Sequence, residues 1–134
     1  MAQLKSTTVS GNLSVSGNLT PTATYSANIT TSDSNYYMVG LNIKKFGNLV
    51  LGQISFSTNS GAPTITAWQW TTICPSGSWP AAFRPSTTTS LYLSMQSIGS
   101  ASLQILTNGT VQICTYGNFG APWASGTQVV YYAS

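Results

Sequence analysis

This chain of 134 residues carries four basic side chains, one acidic side chain and no histidine, for a net charge of +3. General acid–base catalysis and glycoside hydrolysis need histidine or paired carboxylates, so the composition argues against an enzyme. Four scattered cations are too few for a phosphate-binding surface, which argues against nucleic-acid binding. Hydrophobic residues make up 42% of the chain, enough for a folded core.

The composition also leaves little material for a metal or cofactor site. Cys74 and Cys114, without any histidine, fall short of the four ligands of a structural zinc site. The only carboxylate side chain, Asp33, would give a weak calcium site. We therefore expect no metal and no cofactor. The two thiols can form one bridge or stay reduced in strands, and their spacing leaves both states open.

Neither membrane insertion nor export is expected from the sequence. No segment approaches the roughly 18 apolar residues that a membrane span needs. Residues 1–8 lack the apolar run of a secretory signal. The sequence predicts a protein that is made in a cytoplasm and either stays there or is released by lysis.

The first distinct segment in chain order is a tandem repeat. Residues 9–14 read Val-Ser-Gly-Asn-Leu-Ser, and residues 15–20 read Val-Ser-Gly-Asn-Leu-Thr. Apolar and polar residues alternate, which is typical of a strand. One thin apolar stripe needs cover, so the segment either lies on the main domain or packs against copies from other chains. We favour a neck in which copies associate around an axis through Val9, Leu13, Val15 and Leu19.

The remaining sequence predicts successive strands. Residues 22–34 indicate a linker or a first edge strand. Gly47-Asn48 and Asn108-Gly109 predict hairpin turns, and one predicted strand carries Trp68 and Trp70 on the same side. The predicted strands are residues 36–46, 49–57, 64–73, 90–96, 101–107, 110–116 and 127–133.

These strands define the expected fold class and domain organisation. No window shows apolar residues at helical spacing. Seven or eight short strands with turns between them predict an all-β antiparallel sandwich or jelly roll. Residues 1–34 would form an attachment segment, a short β neck and a linker, and residues 35–134 would form the head.

Aromatic residues are the best candidates for ligand contacts, since the chain holds four tryptophans and seven tyrosines. Ring faces offer sugars an apolar stacking surface, and Trp or Tyr adds a polar group. Binding residues concentrate in loops, which selects Trp79, Phe119 and Trp123. The alternative for each ring is a place in the core or a subunit interface, and we favour that alternative for Trp68 and Trp70.

Arg84 is the remaining candidate for ligand binding. It lies in the predicted loop, within the sequence Ala-Phe-Arg-Pro. A guanidinium near aromatic rings can recognise an anionic sugar or a phosphate. It can equally stack on a ring or bond loop carbonyls, and the sequence favours this structural role.

Several stretches, taken in order, resemble the head domains of bacteriophage tail tips. Residues 43–50 (IKKFGNLV) resemble a K-x-G-N-x-V hairpin, and residues 79–86 (WPAAFRPS) resemble an L-P-x-G-(Y/F)-R-P loop. Residues 106–113 (LTNGTVQI) resemble an NG-x-V-x-I hairpin, and residues 128–132 (QVVYY) resemble the final strand. The front repeats resemble those of phage fibre proteins. The chain departs from the pattern at Ala82, where the family often has Gly, and in a longer loop around residues 74–78.

The resemblance implies a homotrimeric virion protein with a β-sandwich or jelly-roll head on a short neck. Such heads commonly bind host-surface saccharides. We therefore predict a non-enzymatic phage tail fibre or receptor-binding protein, made in the host cytoplasm and joined to other virion proteins through its N-terminus. The alternative is a capsid decoration or head-fibre protein without receptor recognition, and a third possibility is a free cytosolic lectin.

Overall fold

The computed structural model describes residues 10–11, 25–32, 35–95, 99–118 and 124–134. In this part of the chain there are eight β-strands and a single turn of 3₁₀ helix at Ala81–Phe83. None of the described helical residues forms a helix that is long and apolar enough to cross a membrane. The strands are β1 (Tyr25–Ser32), β2 (Tyr36–Phe46), β3 (Leu49–Thr58), β4 (Trp70–Cys74), β5 (Thr89–Met95), β6 (Gly99–Ile105), β7 (Val111–Thr115) and β8 (Ala124–Tyr132).

The strands form two antiparallel sheets of four strands each. The first sheet has the order β1-β2-β3-β8, and the second has the order β4-β7-β6-β5. In the second sheet, the successive strands β5, β6 and β7 are neighbours, and β4 lies beside β7 rather than beside β5. This arrangement is a Greek-key order. The inner faces of the two sheets contribute to one hydrophobic core. The predicted all-β, antiparallel, sandwich-like class is confirmed.

The strand β1 is the edge strand that the sequence left open as an alternative to a linker. It pairs with β2 from Tyr25 opposite Lys45 to Ser32 opposite Tyr37. β1 therefore belongs to the same sheet as β2, so of the two alternatives for this segment the edge strand is present at residues 25–32.

The β2–β3 hairpin follows the sequence closely. Its turn lies at Gly47-Asn48, with Phe46 opposite Leu49. Alternation within residues 49–57 predicts one apolar face made of Val50, Ile54 and Phe56, and these three side chains are buried. The register shifts between Leu41 and Lys44, and Asn42 in this bulge has a left-handed backbone with φ 51°, a conformation that asparagine tolerates better than most residues. The buried residues of β3 are Val50, Ile54, Phe56 and Thr58.

The strand predicted over residues 64–73 begins later than expected, at Trp70. Trp68 has φ 64°, in the left-handed region, so the chain turns there and cannot yet be extended. The alternation had predicted that Trp68 and Trp70 lie in one strand, and this prediction is wrong.

The turn at Asn108-Gly109 joins β6 to β7 as predicted and also supports the loop after β4. The amide of Gly109 donates to the carbonyl of Leu106 (2.9 Å), and the amide of Thr110 donates to Oδ1 of Asn108 (2.9 Å). Gly109 has φ 83°, and a Cβ added there would lie 2.8 Å from the carbonyl oxygen of Trp79 and 2.8 Å from Nε of Arg84. Only glycine suits both the left-handed backbone and the short distances at this position. The short distances show that the turn and the loop pack closely against each other.

The two cysteines lie on opposite faces of the second sheet. Cys74 belongs to the hydrophobic core, whereas Cys114 is paired with the exposed Trp70 and lies toward the outer face. Both are free thiols. Of the two states left open by the sequence, the structure has the reduced one.

Candidate functional site

Trp79, the first loop aromatic predicted to contact a ligand, lies in the core. Its side chain is 0% exposed. Nε1 donates to the carbonyl of Phe83 (3.1 Å) and to the hydroxyl of Tyr131 (2.9 Å). The prediction that Trp79 contacts a ligand is corrected, because no face of its ring is accessible. The indole instead fastens the loop after β4 to the inner side of β8.

Tyr131 completes this buried group. Its hydroxyl donates to the same Phe83 carbonyl (2.6 Å). Burial raises the pKa of Tyr131 from 10.0 to about 12, and the hydrogen bond from Trp79 opposes this rise only in part. The phenol is therefore a neutral hydrogen-bond donor at any physiological pH.

Arg84 bonds a main-chain carbonyl of its own loop, which is the structural role that the sequence favours. It is half-buried, and its Nε donates to the carbonyl of Trp79 (3.0 Å). Its own carbonyl accepts the amide of Ser134 (3.0 Å). Lys45 acts similarly at the same end of the sandwich, since its Nζ donates to main-chain oxygens of Ala82 (3.1 Å) and Ser134 (3.1 Å). These two cations hold the loop and the last residues of the chain together.

The other predicted site residues cannot be placed. Phe119 and Trp123 lie outside the described residues, as do the neck positions Val9, Leu13, Val15 and Leu19. Their roles remain predictions.

A different set of aromatic side chains is exposed, on the outer face of the second sheet. Trp68 is 71% exposed, Trp70 46%, Tyr92 61% and Tyr116 37%. Amide and hydroxyl side chains lie between them. We call this surface the aromatic–amide face and define it by Trp68, Trp70, Thr72, Ser90, Tyr92, Ser102, Gln104, Gln112, Cys114 and Tyr116.

The alternation of the strands explains why these side chains point outward. In β5 the inward residues Leu93 and Met95 are buried, and Tyr92 between Leu91 and Leu93 faces solvent. The strands β6 and β7 bury their aliphatic residues in the same way and leave Ser102, Gln104 and Gln112 half-buried on the outer side. Because successive side chains of a strand point to opposite faces, one sheet presents an aliphatic inner face and a polar, aromatic outer face.

The outer side chains form two rows that cross the strands. In the first row Trp70 lies opposite Cys114, Cys114 opposite Ser102, and Ser102 opposite Tyr92. In the second row Nε2 of Gln104 donates to Oε1 of Gln112 (2.6 Å). Nε2 of Gln112 in turn donates to Oγ1 of Thr72 (3.2 Å). The amide row therefore runs parallel to the row that ends in the two exposed rings.

Trp68 is held in place despite its unfavourable backbone. Its ring stacks on Tyr116 with centroids 4.9 Å apart and an angle of 17° between planes. Its amide donates to the carbonyl of Thr115 (2.8 Å), and the amide of Ala67 donates to Oδ1 of Asn118 (3.0 Å). The hydroxyls of Tyr116 and Ser102 lie 2.6 Å apart, within hydrogen-bond distance. A bulky residue at positive φ is a true outlier, and such strain is concentrated at functional sites.

The chemistry available to this face is stacking and neutral hydrogen bonding. The strands β4, β5, β6 and β7 contain no Asp, Glu, Lys, Arg or His. Among the described residues, no group of three or more His, Cys, Asp or Glu side chains could hold a metal ion. The face has the groups to bind a hydroxyl-rich ligand and lacks an ionisable acid–base pair.

The outer face of the first sheet is a weaker candidate. An open hollow of about 350 Å³ lies over β3 and β8 and is lined by Gln53, Ile54, Ser55, Gly126, Thr127 and Gln128. It offers hydrogen bonds but no aromatic ring. For a sugar-like ligand the aromatic–amide face supplies both kinds of contact.

This face was not predicted from the sequence, because exposed rings were expected in loops. A usable signal was present in β5, where Tyr92 alternates out of phase with the aliphatic residues Leu91 and Leu93. Trp68 carried no such signal, since only the backbone turn at that residue exposes it.

Comparison with known proteins assigns no family. No protein-family model matches the chain, and no curated protein sequence matches it. Function is therefore inferred from the geometry of this chain and from the motifs of its sequence.

Proposed function

We propose that this chain is a non-enzymatic phage fibre whose head binds a host-surface saccharide through the aromatic–amide face. The virion would carry it as a short homotrimer. Residues 9–20 would form the trimerising neck, and the first residues would join other virion proteins. The jelly-roll form of the head belongs to this proposal, as does the virion location implied by the motif resemblance.

The exposed rings on the uncharged second sheet are the observation that carries the proposal. Trp68, Trp70, Tyr92 and Tyr116 lie on the same side as Gln104 and Gln112. Sugars present apolar ring faces and hydroxyl groups, which aromatic rings and amides respectively bind. Strands hold Trp70, Tyr92 and the two glutamines more rigidly than a loop would, and rigid groups lose less entropy on binding.

Saccharide binding is tested with the full chain on an array of bacterial surface saccharides. Trp70→Ala and Tyr92→Ala should each weaken binding about tenfold, which corresponds to about 1.4 kcal/mol. Tyr132→Ala is the matched control, because Tyr132 is a 68%-exposed tyrosine of β8, in the other sheet. Binding that Tyr132→Ala weakens as much as Tyr92→Ala would contradict the proposed site.

The homotrimer requires its own measurement. Light scattering on the full chain should give three copies, and a chain without residues 1–20 should dissociate or associate more weakly. A monomer in both cases would remove the neck from the proposal and leave the saccharide site unaffected.

One observation favours the alternative of a capsid decoration or head-fibre protein without receptor recognition. The outer face of the first sheet exposes Val130 and Tyr132 beside the half-buried Leu49 and Leu51. Contiguous apolar surface of this kind suits contact with another protein chain. Absence of saccharide binding together with tight binding to phage capsids would favour this alternative.

A further inference from the structure

We infer that the aromatic–amide face takes a neutral, unbranched saccharide that lies across the strands, from the ring of Trp70 to the ring of Tyr92. This inference rests on the proposed saccharide-binding function and specifies its ligand class and direction. It follows from the register of the second sheet, the polarity of the amide row and the distribution of charge.

The direction follows from the register of the four strands. Trp70 on β4 and Tyr92 on β5 end a row whose two inner positions are Cys114 and Ser102. Three strand spacings separate the ends of the row, about 14 Å. The inner positions carry small side chains that are buried or half-buried, whereas both ends carry exposed rings. A short linear oligosaccharide spans such a distance and can stack one sugar on each ring.

The amide row gives the same ligand a continuous line of hydrogen-bonding groups. Gln104 donates to Gln112, and Gln112 donates to Thr72, in one direction across the strands. A primary amide has two N–H donors and an oxygen with two lone pairs, so each glutamine retains capacity beyond these contacts. Sugar hydroxyls both donate and accept, and they can therefore bind along the whole row.

The charge distribution selects a neutral ligand. The strands of this sheet carry no ionisable acid or base of the Asp, Glu, Lys, Arg or His type. Arg84 and Lys45 bind main-chain oxygens at the end of the sandwich, and Lys44 lies on β2 of the other sheet. An acidic sugar on this face would give up hydration without gaining an ion pair.

The stacked pair of Trp68 and Tyr116 extends the site beside this row. Tyr116 follows β7, and its hydroxyl lies 2.6 Å from that of Ser102 within the row. The pair is fixed by its stacking and by the hydrogen bond from the Trp68 amide. A third ring that is already in position lowers the entropy lost when the ligand binds.

The ligand class is tested with the full chain on an array that pairs neutral and acidic bacterial polysaccharides, linear and branched. Neutral linear chains should bind best, acidic chains should bind at least about tenfold more weakly, and raising the salt concentration should change affinity little. Strongest binding to acidic chains, with loss in Trp70→Ala, would overturn the neutral ligand and retain the saccharide site. Absence of binding to every saccharide would instead contradict the proposed function itself.

The direction is tested with fragments of the saccharide that binds best. Affinity should rise with chain length until the fragment reaches both rings and then level off. For the longest fragment, Trp70→Ala and Tyr92→Ala should each weaken binding about tenfold, while for the shortest fragment only one of them should matter. If Tyr92→Ala leaves the longest fragment unaffected while Trp70→Ala weakens it, the crossing direction is wrong. Unchanged thermal unfolding and light scattering of both variants would exclude effects on folding or association.

Discussion

Two groups of aromatic side chains in this protein have opposite surroundings. Trp79 and Tyr131 lie in the core, where their polar atoms share the carbonyl of Phe83. Trp68 lies in the turn before β4 and Trp70 is the first residue of β4, and both rings are exposed to solvent. The buried Trp79 comes from a loop and the exposed Trp70 comes from a strand, which is the reverse of what the usual position of binding residues in loops suggests.

The difference comes from what surrounds each backbone segment. The loop after β4 passes directly over the turn at Gly109, whose carbonyl accepts the amide of Trp79 (3.0 Å). The loop is thereby drawn against the sandwich and its tryptophan fills the core. Trp70 starts a strand whose outer side has no second layer in the described part of the chain, so its ring remains accessible. Whether a ring is exposed therefore depends on which face of the sheet it occupies and on whether another layer of the protein covers that face.

Replacing one tryptophan from each group gives the largest expected contrast. Trp79→Ala should lower the free energy of unfolding by about 3–5 kcal/mol, since it empties a fully buried site. Trp70→Ala should change it by less than about 1 kcal/mol, because the ring is already half in solvent. Denaturant unfolding of both variants measures the difference. If Trp79→Ala is too unstable to purify, Trp79→Phe should still be clearly less stable than Trp70→Ala, and equal stability of the two would contradict the core role.

The close packing of the loop on the turn gives the next largest effect. Gly109→Ala should destabilise by about 2–4 kcal/mol, through a left-handed alanine and contacts at 2.8 Å with Trp79 and Arg84. Gly61→Ala is the matched control, because Gly61 has φ 84° and a Cβ there meets nothing within 4 Å. It should lose only about 1–2 kcal/mol, from the backbone alone. Equal losses in thermal or denaturant unfolding would show that the loop can move away from the turn.

The buried phenol gives an effect of similar size that depends on pH. Tyr131 has its pKa raised to about 12 from 10.0, so the folded state favours the neutral form. Its contribution is complete below pH 10 and is lost as the pH rises toward 12, because the unfolded chain ionises first. The loss amounts to about 2–3 kcal/mol, at about 1.4 kcal/mol per pH unit. Denaturant unfolding across this range should be steeper in pH for the native chain than for Tyr131→Phe, and parallel curves would contradict the burial argument.

Much of the fold could be predicted from the sequence, because turns and alternation are local. The turns at Gly47-Asn48 and Asn108-Gly109 and the inward face of β3 appear where the pattern predicts them. The start of β4 could not be predicted, since the left-handed backbone of Trp68 is held by contacts with Tyr116 and Thr115 that are distant in sequence.

The candidate site was less predictable than the fold. Alternation separates the two faces of a strand but does not tell which loop ring becomes buried. Trp79 is buried by the turn at Gly109 and by Tyr131 of β8, and neither contact has a local sequence signal. The polar residues of β5, β6 and β7 did mark an outer face, and Tyr92 could have been assigned to it.

The smallest effect concerns whether the exposed group is rigid. Trp68 has φ 64°, which is unfavourable for any residue with a Cβ, so Trp68→Gly should be more stable than Trp68→Ala by up to about 1 kcal/mol. Both variants lose the stack on Tyr116, so their difference in denaturant unfolding isolates the backbone strain. If the alanine variant is as stable as the glycine variant, the turn has relaxed and Trp68 is not held in a strained position. A positive difference means that the contacts around residues 67–68 hold the ring outward against an unfavourable backbone, which is the pre-organisation that a binding face requires.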